Sequence, residues 1–215
     1  MSEQAIPTRR VFPPLYVASG DVSVDRLAFF HVLERLKTQK RTGWVDHKEH
    51  HMYRMAILAL CTSDTKLDVS KCVMMCLVHD LAEAQVGDIT PREGISKPEK
   101  RRLEGEAMQN FVHEMLHGSP AALQIEALWK EYEEQETDEA KFVKDLDRFE
   151  MATQALEYEK ADGTPRLQSF FDSSLPFLRH AEVKEWGEAV TRERQSIVDK
   201  QHNGARLTDP GPYCG

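Results

Sequence analysis

Apolar residues recur at helical spacing along almost the whole chain, while the alternation that marks a half-buried strand is nearly absent, so the sequence predicts an all-α protein. From Val24 to Lys37, the residues Leu27, Phe30, Val32, Leu33 and Leu36 mark a first core helix. A second spans about His50 to Cys61, with Met52, Met55, Ala56 and Ala59 on its inner side. A third starts near Ser70, a residue suited to an N-cap, and closes near Gly87, suited to a C-terminal glycine. Pro98 opens a fourth helix that runs to about His117. After Gly118 and Pro120 a fifth leads into the acidic run Glu131 to Glu139, read as a solvated face or loop. The sixth, Asp138 to Lys160, carries Phe142, Leu146, Phe149 and Leu156 as its core stripe. Beyond Gly163 and Pro165, a short apolar segment around Phe170 and Phe171 precedes a last amphipathic helix from about Val183 to Val198.

No stretch reads as a linker between two cores, so 215 residues are expected to form one helical domain. Its expected bounds are 21–202, after a Pro-rich lead at 1–20 and before a frayed tail at 203–215. The formal charge of −8, with Lys and Arg scattered, argues against duplex nucleic acid as a partner. A small phosphorylated substrate stays compatible, because a bound metal supplies local positive charge. No apolar run approaches the ~20 residues that cross a bilayer, and Met1 to Tyr16 lacks the apolar core of a signal peptide. Cys61, Cys72, Cys76 and Cys214 match neither a zinc knuckle nor a disulfide framework. Cys72 and Cys76 could meet on one helix face as a metal pair, but buried free thiols are the expected reading. A cytoplasmic or nuclear protein follows.

The third helix carries the chemistry. Cys72 to Val78 is apolar on every side and should be buried, yet it runs straight into His79, Asp80 and then Glu83. A carboxylate in such a place must be paired, hydrogen-bonded or bound to a cation. On a helix His79 and Asp80 project about 100° apart, and Glu83 sits one turn beyond His79. A buried histidine–carboxylate hydrogen bond explains the pair as well as a metal does. His51 in the second helix and Asp147 in the sixth would complete two imidazoles and two carboxylates, although His47 and His50 compete with His51.

The order His, His-Asp, Asp, with its local wording, resembles the HD-domain metal-dependent phosphohydrolases and, within them, the 5′-deoxynucleotidase branch. The stretches that carry the resemblance are Arg41 to Trp44 (RTGW), His50 to Ala56 (HHMYRMA), Val78 to Ile89 (VHDLAEAQVGDI) and Lys141 to Tyr158 (KFVKDLDRFEMATQALEY). Arg166 to Ser174 (RLQSFFDSS) is similar to the C-terminal part of that branch. The resemblance implies a single helical HD domain with a divalent ion between its core helices, held by His51, His79, Asp80 and Asp147. It also implies Glu83 as the catalytic carboxylate and Asp88 as an acid near the sugar or the attacking water. Arg41 would face the substrate phosphate and Trp44 would crowd the sugar 2′ position. Val45 to His50, between Trp44 and His51, lack the Pro-Glu-Ser-type turn of that branch.

Such a donor set suits Mn²⁺, Co²⁺ or Fe²⁺, with Zn²⁺ or Mg²⁺ also accepted. The resemblance implies hydrolysis of 2′-deoxynucleoside 5′-monophosphates by a homodimer. The rivals are an HD hydrolase for a ribonucleotide, triphosphate or cyclic nucleotide, and a non-catalytic helical interaction module.

Overall fold

The computed structural model describes residues 10–38, 48–90, 93–163 and 166–206. Among them the regular structure is helical, as the periodicity predicts: α1 (Val22–Thr38), α2 (Lys48–Leu60), α3 (Val69–Val78), α4 (Glu83–Val86), α5 (Lys97–Gln109), α6 (Pro120–Glu134), α7 (Asp138–Asp162), α8 (Gln168–Ser174) and α9 (Ala181–Arg206). No described helix is long and apolar enough to cross a membrane. The chain forms two compact units, Met1–Met52 with Leu77–Lys130, and Tyr53–Cys76 with Glu131–Gly215.

In the first unit Phe29, Leu36, Met52, Leu81, Val86, Met108, Phe111 and Trp129 belong to one buried cluster. The face that α1 buries matches the expected one only in part, at Leu36. Leu27 and Phe30 are more than half exposed, while Asp25 and Phe29 are buried and Val32 and Leu33 are partly so. Asp25 explains the rotation, because its carboxylate has partners inside. Its Oδ1 accepts from the Tyr16 hydroxyl at 2.6 Å, the Ser19 hydroxyl at 2.6 Å and the Ser19 amide at 2.8 Å, and Oδ2 lies 2.8 Å from His117 Nε2.

These donors, the Ser19 hydroxyl first and then that of Tyr16, outweigh burial and hold the Asp25 carboxyl far below the ordinary carboxylate range. A carboxyl lowered on folding stabilises above its unfolded value, near 3.9, and that contribution fades as pH falls toward the folded value. Asp25→Asn is therefore expected to melt below wild type at pH 7, with the gap narrowing steadily below about pH 4. Thermal melts across that range check it; a gap independent of pH would mean that the charge of Asp25 contributes nothing.

Ser96 caps α5 by accepting the Glu99 amide at 3.3 Å, and α5 continues into one π-helical turn at Asn110–Met115. The third helix departs from expectation at the residues of most interest. It stops at Val78 and does not reach Gly87. The chain tightens through Leu81 N to Val78 O and Glu83 N to Asp80 O, both 3.0 Å, and re-forms a helix for the single turn of α4. Burial is also one-sided: Cys72, Met75 and Cys76 are buried, whereas Met74 and Leu77 are exposed.

In the second unit α7 packs against α8 and α9. Its stripe of Phe142, Leu146, Phe149 and Leu156 is buried, as expected. Thr137 caps α7 through the Ala140 amide, and Gly163 ends it in the left-handed region at φ +67°. The acidic run is not simply solvated. Glu131 and Glu139 hold the Lys71 ammonium at 2.8 and 3.1 Å. Cys72 and Cys76 are buried free thiols, and burial pushes the Cys72 thiol up to about 12. The last helix runs to Arg206, so part of the expected frayed tail, 203–206, is helical.

Candidate metal centre

His51 and His50 are neighbours on α2, and the fold separates them. His51 is 1% exposed beside Met52 and Met55 on the buried side of the helix, whereas His50 faces solvent. His47 lies outside the described residues. His79 is the first residue of the turn after α3 and is also buried. The His51 and His79 rings meet edge to face, with centroids 5.5 Å apart. Tight turns directly after α3 carry His79, rather than the continuous helix that the sequence suggests.

The segment Asp145-Leu146-Asp147 of α7 offers two carboxylates, one to either side of the buried Leu146. Asp145 is fully buried, and its Oδ2 accepts the His180 amide at 2.7 Å, so it holds the chain at the start of α9. Asp147 is oriented differently. Its Oδ2 accepts from the Tyr132 hydroxyl and the Lys144 ammonium, each at 2.9 Å, and these two donors fix the plane of the carboxylate.

One donor atom from each of His51, His79 and Asp147 lies within 4.8 Å of the other two. Two imidazoles and a carboxylate at that spacing fit one divalent transition ion, which borderline nitrogen donors and a hard oxygen bind together. Asp80 stands outside this group of three, with its Oδ2 3.4 Å from His79 Nε2.

Glu83 opens α4 and is 4% exposed. Gly87 closes that turn at φ +74° and ψ 168°, a conformation that suits glycine, and its amide donates to Glu83 O at 2.7 Å. Asp88 follows, half-buried, with its carbonyl accepting from Arg10 Nη1 at 2.8 Å. A cavity of about 260 Å³ is lined in part by Arg10, Arg35, Glu83 and Gly87. Arg41 and Trp44 lie outside the described residues.

Sequence reasoning missed Tyr132 and Lys144, which orient Asp147, and Arg10 and Gln85, which tie down the segment with Glu83 and Asp88. Lys144 leaves a signal, since three residues before Asp147 it shares that helix face. Tyr132 and Arg10 come from elsewhere in the chain, and no local pattern marks them.

An HD domain matches residues 33–185. The chain is 42% identical over 182 residues to 5′-deoxynucleotidase HDDC2 of Xenopus laevis, covering 80% of this chain and 89% of that protein. It is 41% identical over 184 residues to 5′-deoxynucleotidase hdd1 of Schizosaccharomyces pombe, covering 81% and 93%. The solved structure of the HD domain-containing protein YGK1 superposes with a TM-score of 0.69 at 29% identity, covering 85% of this chain and 92% of that one. The helical architecture is that of an HD domain, and the group of His51, His79 and Asp147 could hold a metal ion. The chain belongs to the HD-domain family.

Proposed function

We propose that the protein is a divalent-metal-dependent 5′-deoxynucleotidase, hydrolysing 2′-deoxynucleoside 5′-monophosphates to deoxynucleoside and phosphate. The observation that carries this reading is the approach of His51, His79 and Asp147 donor atoms to within 4.8 Å. Relatives at about 40% identity that bear the name 5′-deoxynucleotidase support the substrate class. His51, His79 and Asp147 would hold the ion, and Asp80, beside His79, would complete the set. Once bound, a divalent ion supplies charge opposite the phosphate and makes water easier to deprotonate.

The residues of the chain do the rest. Glu83, buried at the head of α4, takes the proton of the attacking water or gives one to the leaving 5′-oxygen. Asp88 contacts the sugar or the water; the family resemblance assigns the phosphate to Arg41 and the sugar 2′ position to Trp44, both outside the described residues. Water attacks phosphorus and the bond to the 5′-oxygen breaks, so the products are phosphate and a nucleoside. The same reading makes the protein a homodimer, and buried free thiols at Cys72 and Cys76 suit a reducing, cytoplasmic setting.

Sugar choice tests it. An indole against C2′, as the resemblance implies for Trp44, would make a ribose hydroxyl clash or lose hydration without a partner, so a deoxynucleotide is expected to be preferred over the matching ribonucleotide. Trp44→Ala is expected to raise the relative use of the ribonucleotide, even where total activity drops. Steady-state kcat/KM for both substrates in both proteins measures this. No deoxynucleotide preference in wild type would contradict the substrate assignment, and an unchanged ratio in the variant would remove Trp44 from sugar reading.

A further inference from the structure

The residues that precede α1 are tied to the segment carrying Glu83 and Asp88. Gln85 is 4% exposed, and both of its amide hydrogens are used: Nε2 donates to Pro13 O at 2.9 Å and Pro14 O at 3.0 Å. Its Oε1 accepts from Arg35 Nη1 at 3.2 Å. Arg10 Nη1 donates to Asp88 O at 2.8 Å and pairs with Glu93 Oε2 at 2.7 Å. The other Glu93 oxygen accepts the Thr90 amide at 2.9 Å. At its far end the strap is anchored again, because Tyr16 exchanges hydrogen bonds with Asn110 and donates its hydroxyl to Asp25.

The tied segment needs such support. α4 is four residues long, far below the length at which a helix sustains itself. Gly87 follows it with a conformation open to glycine and few others, a point where the chain can pivot. Backbone hydrogen bonds alone therefore leave the spacing between the Glu83 and Asp88 carboxyl groups soft. Two consecutive prolines on the strap fix φ and present neighbouring carbonyls in a stiff array, to which the Gln85 amide is matched. The Arg10 guanidinium is engaged by a carbonyl and a carboxylate, so its work is to hold the chain rather than to bind substrate.

We propose that Arg10 and Gln85 are positioning residues for the reaction: the strap Arg10–Tyr16 fixes the backbone from Glu83 to Asp88 and thereby the relation between their two carboxyl groups. This rests on the reading of Glu83 as the proton-transferring carboxylate. The strap lies in the stretch that the sequence marks only as a Pro-rich lead.

The test uses the full-length, metal-loaded protein as Arg10→Ala, Arg10→Lys, Gln85→Ala, Glu83→Ala and Arg10→Ala/Glu83→Ala. Misplaced groups cost turnover rather than binding, so Arg10→Ala and Gln85→Ala should lose about 10- to 100-fold in kcat with KM changed less than about 2-fold. Metal content should stay at the wild-type level. Amide exchange should quicken in peptides over residues 83–88 and not in those from α1 or α5. Arg10→Lys, which keeps a charged donor for Asp88 O and Glu93, should recover most of the kcat. In the Glu83→Ala background, Arg10→Ala should cost little more. Wild-type kcat in both Arg10→Ala and Gln85→Ala, beside a crippled Glu83→Ala enzyme, overturns the positioning role alone. Near-normal turnover by Glu83→Ala instead overturns the proton-transfer reading, and the positioning role with it.

Discussion

His79→Ala and Asp80→Ala should each purify as helical protein with neither bound metal nor detectable phosphate release. His79 is buried with its ring 5.5 Å from that of His51, and its donor atom is one of three within 4.8 Å of one another. Removing an imidazole from such a set leaves too few donors to retain a divalent ion against water. Asp80 sits 3.4 Å from His79 Nε2, so its loss removes either a ligand or the group that orients one. Partners of a ligand alone are worth about 10- to 100-fold in metal affinity, and direct ligands more. Elemental analysis and circular dichroism on the same preparations separate metal loss from unfolding. Wild-type metal content in both variants would sink the assignment of this centre.

Glu83→Ala is expected to behave differently. Its side chain belongs to α4, outside the group of three donors, so the ion and the fold should survive while turnover drops about 10² to 10⁴-fold, the usual share of general acid–base catalysis. With the chemical step slowed, KM reports substrate binding alone, so the loss should fall on kcat. Steady-state kinetics at saturating substrate and metal decide it. Near-normal turnover would remove Glu83 from the mechanism, and loss of metal would recast it as a ligand.

Element existence was legible in the sequence because hydrophobic periodicity survives wherever a helix has one buried face; α2 and α7 bury the residues that their stripes mark. The failures have particular causes. Leu27 and Phe30 on α1 mislead because Asp25 takes an inward position with three partner residues, Tyr16, Ser19 and His117, and such a network leaves no trace in a hydrophobic pattern. Continuity of the third helix was misjudged because helical propensity does not reveal a turn stabilised by tertiary contacts. His79 and Asp80 therefore sit on a turn rather than on one helical face. The preference for His51 over His50 rests on resemblance to a family, and nothing in the local sequence separates Asp147 from Asp145; the fold distinguishes both pairs by burial and by partners. His51 is buried where His50 is exposed, and Asp145 is occupied by backbone amides at the start of α9. The strap contacts of Arg10 and Gln85 span more than seventy residues of sequence, a separation across which one sequence carries no pairing signal.

One divalent ion, bound at His51 and its partners, is expected to be required for cleaving a nucleoside 5′-monophosphate. Stripping the protein with a chelator, then restoring Mn²⁺, Co²⁺, Fe²⁺, Zn²⁺ or Mg²⁺ singly while following phosphate release from a deoxynucleoside 5′-monophosphate, measures it directly. Stripped protein should be inactive, at least one of these ions should restore it, and restoration should saturate at one ion per chain. Undiminished hydrolysis by stripped protein, or full occupancy without hydrolysis, would contradict it.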